Sequence, residues 1–447
     1  MQAPVTSPLV EFLVSSRWED VPQDVRHAAK RSILNVFGTA LGGSRDTAIA
    51  GTLSVLDRFS GPRDATVIGH TVKLDTLSAA FVNAASGNVF DFCDTHHPTI
   101  IHPTAPVMPA LFALAESRRM TGEALLHAFI LGVEAECRIG NAVSPWHYKR
   151  GWHITSTCGV FGAAAAVGKI IALDVERMTW ALGNASAQSS GLVETLGTMA
   201  KSIGVGAAAR GGLSAAFFAE AGVTGPAEPV AGPRGFTSVM GDAANLNAIT
   251  KRLGETWELM ANTHKPYPCG VVLFPVIDAC LELRAQSPGL SRDAIASIKV
   301  EGHSLLRERA DRPAVVTGRE AQVSVQHSVA AVLIHGAAGV AQFEDACVNS
   351  PDVLALRQKV HVSDLPGTPV EAAHMTITLA DGRTLKSLVE AGRGTPKRPM
   401  SDSDIEAKVR ELTRYGCPRL DPGPLIDSVW SLDRNGDAGS IMKLATA

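Results

Sequence analysis

The sequence predicts a mainly α protein: a large all-helical domain built from both ends of the chain, and a smaller α+β domain. Three observations carry that expectation. Through residues 8–222 apolar side chains recur at helical spacing with almost no strand signal. Strand patterning begins only after the Pro/Gly-rich run 223–235. Alanine and glycine dominate while aromatic residues make up only 5%, a composition suited to helices packed closely through small side chains. A chain of 447 residues is also too long for one hydrophobic core, so a division into about two or three domains is expected.

Helical periodicity runs through residues 25–41, 76–89, 105–116 and 123–139. Residues 155–173, TSTCGVFGAAAAVGKIIAL, open on Ser/Thr cap candidates and continue as an Ala-rich helix. Residues 205–221 repeat that style and stop at Gly222, a C-cap signal. Strands are expected at 296–301, 374–379 and 384–389, the last two joined by an Asp381-Gly382 hairpin turn. Helices at 323–336 and 351–360 lie between the strands. Residues 394–399 read as a linker, while 402–412 and 424–432 are helical again and are expected to return to the helical domain. The expected boundaries are 1–267 with 397–447 for the helical domain and 268–396 for the α+β domain.

Charge and cysteine usage narrow the function classes. Lys and Arg number 41 against 44 Asp and Glu, and no basic cluster is dense enough to follow a phosphate backbone, so nucleic acid is not an expected partner. No apolar stretch is long enough to cross a bilayer, and the first residues lack the basic and apolar regions of a secretory signal, which leaves the cytoplasm as the expected location. The seven cysteines show no CxxC pair and no Cys/His zinc spacing, so free thiols are expected.

Three segments concentrate chemistry. Asp91-Phe-Cys-Asp-Thr-His-His-Pro-Thr-Ile-Ile-His102 holds two carboxylates and three imidazoles in twelve residues. It reads as an active-site loop in which carboxylates orient imidazoles toward an anionic substrate, as a solvated turn punctuated by Pro98, or, last, as a metal site. Trp146-His-Tyr148-Lys-Arg-Gly-Trp-His153 puts a phenol and an imidazole before a capped helix, where anions collect, or else is ordinary capping. Lys201 stands alone in an apolar, glycine-bearing stretch that ends near Arg210. Burial there would favour a neutral amine able to act as a base; the alternative is a lysine that carries its charge to solvent. The segment His264-Lys265-Pro-Tyr-Pro-Cys269 reads as a hinge, and His327 as a packed residue on its helix. Phosphate-loop, dinucleotide, GxSxG and HExxH motifs are all missing, so no metal and no organic cofactor is expected.

Taken in order, DFCDTHHPTIIHPTAPVMPALFALAE, GWHITSTCGVFGAAAAVGKIIALD, the Lys201 segment running into ARGGLSAAFFAEAGVTGP, and HKPYPCG resemble the MmgE/PrpD family over nearly the whole chain. That family includes 2-methylcitrate dehydratase, cis-aconitate decarboxylase and iminodisuccinate epimerase. The resemblance implies a helical domain and an α+β domain with the active site between them, a homodimer, a small polycarboxylate substrate and no cofactor. Carried over by residue, the family's site falls on Asp91, Thr95, His102, His153 and Lys201, and Tyr148 fits its pattern; catalytic roles are expected for Asp91, His102, Tyr148, His153 and Lys201, and substrate contacts for Thr95, His96, Arg210, Lys265 and His327. Two departures stand out: Cys93 where relatives commonly have Asp, and His327 where relatives typically have Tyr. With the acid at that point changed, the expectation leans to an epimerase of iminodisuccinate that moves an α-proton between Lys201 and Tyr148. A hydro-lyase or decarboxylase of a citrate-like acid, and a non-catalytic dicarboxylate-binding protein, are the alternatives.

Overall fold

In the computed structural model, which describes residues 5–447, the chain divides into two compact units. One comprises the residues up to Val89, Cys93–Asn262 and Ser401–Ala447; the other comprises Phe90–Phe92 and Thr263–Met400. The short stretch Phe90–Phe92 therefore leaves the helical unit and rejoins it, a detour that no sequence signal marks.

The helical unit is organised by α1 (Gln23–Gly43), α2 (Thr76–Asn88), α3 (Thr104–Ser117), α4 (Gly122–Val143), α5 (Ile154–Ile170) and α6 (Ala200–Glu220). Side-chain caps set two of the starts: Asp75 accepts from the N–H groups of Leu77 and Ser78 ahead of α2, and Thr121 accepts from Ala124 ahead of α4. Helix α6 ends as its sequence signals, with Gly222 at φ +89° just beyond it. Every residue of α5 from Ile154 to Gly168 is buried, since α4 and α6 both pack on it. A helix with no polar face belongs in a core, and small residues let its neighbours approach. At Gly212 of α6 a Cβ would overlap Ala163 and the Val160 carbonyl, so that position admits only glycine.

The C-terminal helix Asp402–Gly416 begins with a capping box at Ser401 and packs along α1, with Val409 against Gly38 and Leu412 against Gly42. Strands do occur in the helical half: Ala65–Thr66 pairs with Lys73–Leu74, and β1 (Asp94–His96) lies inside the segment read as a loop. They are two or three residues long, too short for a period-2 pattern to register.

In the α+β unit, β2 (Ile295–Gly302) is flanked by a parallel β3 (Val360–Asp364) and an antiparallel β4 (Ala373–Leu379), and β5 (Thr384–Val389) completes the order β3-β2-β4-β5. Alternate residues Ala373, Met375, Ile377 and Leu379 of β4 are buried, the period that made the strand legible. The edge strand β3 is not among the expected strands, and it begins at Val360, where the helix expected over 351–360 was to end. That helix stops at Arg357, and the strand follows with only Val360 and Val362 as apolar residues. Helices α7 (Phe274–Gln286) and α8 (Val325–His335) close the core with Ile277, Leu283, Val329 and Val332. No helix among the described residues is long and apolar enough to cross a membrane.

Candidate active site

The chemistry of the helical unit gathers where β1 turns toward α3. The turn is closed by backbone bonds, His96 N–H to Ile101 O at 2.7 Å and Ile100 N–H to His96 O at 2.8 Å, and it holds Ile100 at φ +60°. A β-branched residue rarely takes that conformation unless its surroundings impose it. Side chains alternate along β1, so Thr95 points away from the face shared by Asp94 and His96. His102, at the far end of the turn, donates from Nδ1 to Asp94 O at 2.7 Å and lies 3.3 Å from Thr95 Oγ1. A carbonyl can only accept, so the proton is fixed on Nδ1, and in the neutral ring Nε2 carries the lone pair.

The first turn of α5 joins this group. His102 N–H donates to Thr155 Oγ1 at 3.1 Å, and His153 is the N-cap residue of the helix, with Nδ1 2.7 Å from Ser156 Oγ and its N–H on Gly191 O. Both imidazoles are buried, at 7% and 3% exposure. Gly204 in the first turn of α6 lies against Ser156 with no room for a Cβ, which brings the turn bearing Lys201 next to the residue that holds His153. Two helix N-termini, two imidazoles and an ammonium thus serve one neighbourhood suited to an anion. Lys201 is half-buried, between the buried base and the solvent-facing lysine that the sequence left open.

Other expected residues are placed differently. Tyr148 sits half-buried on a one-turn helix, Trp146–Lys149. Its neighbour His147 is fully buried and spans Met240 O at 2.9 Å and Thr157 Oγ1 at 2.7 Å. Burial, only partly offset by the Met240 bond, holds His147 below the ordinary histidine range, so it offers no charge beside Tyr148. Arg210 is nine residues from Lys201, half a helical turn out of phase on α6, and is exposed with its guanidinium 5.0 Å from the centre of the Phe81 ring. His96 is buried and faces Thr99 and Glu258, so both ring nitrogens are occupied by protein groups.

Asp91, Lys265 and His327 lie in the α+β unit. Asp91, at φ +51°, pairs with Lys265 Nζ at 2.8 Å, and Lys265 also donates to Cys269 O at 3.3 Å. Two residues read as separate contacts are partners. His327 is fully buried on α8, where Nε2 donates to Gln342 O at 2.7 Å and Nδ1 has no partner. Burial pulls its pKa down to about 4, so this ring is neutral and enclosed in the core.

Sequence reasoning missed several buried acids. Asp94 counts in the sequence only as one of the segment's two carboxylates, with no role of its own, yet its Oδ2 accepts from Thr104 Oγ1 and from Asn262 Nδ2 at 2.6 Å. Burial raises its pKa against the pull of those bonds and of His102. Glu136 on α4 packs over Gly159 and Gly162 of α5 with neither oxygen hydrogen-bonded, and burial, reinforced by Asp94, drives its pKa well up. Single acids inside apolar runs such as GVEAECRIG disappear under the helical periodicity. Among the described residues no group of three or more His, Cys, Asp or Glu could hold a metal ion.

The MmgE/PrpD N-terminal domain matches residues 7–248 and the MmgE/PrpD C-terminal domain matches residues 267–423. Similar curated proteins include the cis-aconitate decarboxylase of Aspergillus terreus, 28% identical over 98% of this chain and 95% of that protein. The human cis-aconitate decarboxylase is 28% identical over 86% of this chain and 82% of its own length, and the mouse enzyme 27% over 86% and 81%. These relatives overturn the expected iminodisuccinate epimerase: the named proteins break a carbon–carboxylate bond, and none is an isomerase. The lean toward epimerisation rested on His327 replacing Tyr as an acid, together with Cys93 in place of Asp. With that histidine neutral and enclosed, the replacement says nothing about the reaction.

Proposed function

Because the chain belongs to the MmgE/PrpD family, we propose that it is a lyase that decarboxylates a small unsaturated polycarboxylate, with cis-aconitate the leading substrate. The observation that carries this reading is the match to cis-aconitate decarboxylases over almost the full length of both chains. The group around the first turns of α5 and α6 supports it. Cleaving a C–CO₂ bond leaves an electron pair on carbon, releases CO₂ and takes up one proton, so the site must hold the remaining carboxylates and supply that proton. The N-termini of α5 and α6, Lys201, and His102 and His153 in their charged forms offer hydrogen bonds and positive charge to the carboxylates. Lys201, or His153 in its charged form, is the proton donor.

The test is incubation of the purified protein with cis-aconitate, following CO₂ release and the unsaturated dicarboxylate product. Lys201→Ala and His153→Ala should each lower kcat/KM by roughly 100-fold or more, the scale of a lost acid–base group. Turnover of cis-aconitate to a hydroxy acid without CO₂ would reject decarboxylation, and unchanged kinetics in both variants would reject the site.

A further inference from the structure

We propose that Glu258 is a positioning residue for the active segment: through His96 it fixes the turn that presents Thr95 and His102. The inference rests on the site proposed above but concerns a residue outside it. Glu258 Oε2 lies 3.0 Å from His96 Nε2 and accepts from Asn141 Nδ2 at 2.9 Å. The other side of the His96 ring is taken by Thr99 Oγ1 at 2.7 Å from Nδ1, and the ring is fully buried. Thr99 belongs to the same turn, so the ring joins the turn to Glu258. The backbone of His96 makes the two bonds that close the turn, to Ile101 and Ile100. Thr95 precedes it, and His102 follows the residue it pairs with. A shift of the ring would move both ends of the segment, and displacements of about 1 Å at a site can cost roughly 100-fold in rate.

Glu258 is itself held firmly. Its N–H donates to Glu134 Oε2 at 2.8 Å, and Glu134 pairs with the fully buried Arg138 at 2.6 Å. Arg138 in turn donates to Lys251 O at 2.8 Å and Thr256 O at 2.9 Å, tying down the chain on the approach to Glu258. Burial works against ionisation of Glu258, but the His96 bond, the Arg138 charge and the Asn141 amide outweigh it and keep the carboxyl below its ordinary range. The carboxylate also lines a polar cavity of about 530 Å³ together with Arg138, Asn141, Lys251 and Arg252. Removing the side chain would therefore open a carboxylate-sized space, bordered by cations and reachable from that cavity.

The reachable cavity supplies the experiment. Glu258→Ala should lower kcat on cis-aconitate by about 10-fold or more while KM stays within about threefold, because the groups that bind substrate remain. Glu258→Gln, which keeps an acceptor for His96, should recover most of the loss. Added formate should partly restore Glu258→Ala, and chloride at equal ionic strength should not; a variant that had merely lost stability would respond to neither. Hydrogen–deuterium exchange supplies a readout independent of turnover: exchange should rise in residues 94–102 of Glu258→Ala and not in α2. A kcat within about twofold of wild type, or unchanged exchange in residues 94–102, would overturn the inference. If wild-type protein does not turn over cis-aconitate yet exchange rises as expected, the proposed activity fails and the positioning role stands.

Discussion

The surroundings of His96 in the helical unit and of His327 in the α+β unit bury polar groups in opposite ways. Around His96 the buried polar side chains are paired: Glu134 with Arg138, His96 with Glu258 and Thr99, Asp94 with Thr104 and Asn262. The α+β unit encloses His327 among apolar side chains, one nitrogen bonded to a carbonyl, the other unpartnered, and Phe343 packed edge-on 5.4 Å away. A paired buried charge resists removal of its partner, whereas a neutral buried imidazole resists protonation. The first arrangement can fix geometry around β1; the second makes stability depend on pH.

The largest expected effect tests the paired arrangement. Arg138→Met leaves Glu134 without its cation and three backbone carbonyls without a donor, and should cost about 3–5 kcal/mol in urea unfolding. Burial pushes Glu134 up to about 7, from an ordinary value of 4.5. A raised carboxyl pKa contributes stability below 4.5 that is lost as pH rises through 7, so the defect should be larger at pH 8 than at pH 6. An equal cost at both values would show that the lost backbone bonds alone account for it.

The next effect tests the unpaired arrangement. His327 titrates at about 4 in the folded protein against an ordinary 6.5, so its contribution is fully present above 6.5 and is lost as pH falls toward 4. The full swing is roughly 3 kcal/mol. His127 in the helical unit, also held near 4 by burial, acts with the same sign. Thermal unfolding of His327→Gln should therefore show a shallower loss between pH 6.5 and 4, with the remaining slope shared by His127. An unchanged slope would mean that the ring accepts a proton without disturbing the core.

The smallest effect isolates burial from geometry. Arg118 and Glu220 form two parallel bonds of 2.7 and 2.8 Å, as well made as the Arg138 pair, but their side chains are 46% and 36% exposed. Arg118→Ala should cost no more than about 1 kcal/mol by urea unfolding. A loss matching that of Arg138→Met would break the comparison.

Much of the fold was legible because periodicity and punctuation agreed. Helix α4 carries a Thr121 cap and a long apolar face; β4 and β5 alternate around Asp381-Gly382; α8 ends at Gly336 in the left-handed conformation. Edge strand β3 and the short β1 were not legible, because β3 has only two apolar residues and β1, Asp-Thr-His, has none, so neither makes a period. In the site, His102 stood out in a segment dense with carboxylates and imidazoles, His153 just before a capped helix, and Lys201 as a lone charge in an apolar, glycine-bearing stretch. Glu258 and Asn141 did not, since each acts on a residue more than 40 positions away.

The sequence by itself determined the order of helices and strands, the family, and the residue types available for anion chemistry, because each is written in local spacing and composition. The tertiary structure decided which of those residues work together. Arg210 and Lys201 share a helix but not a face, Asp91 spends its charge on Lys265, and His147 and His327 are stripped of charge by burial. Direction around a helix axis, distance across the chain and exclusion of water set a side chain's charge and partner, and all three exist only after the chain has packed.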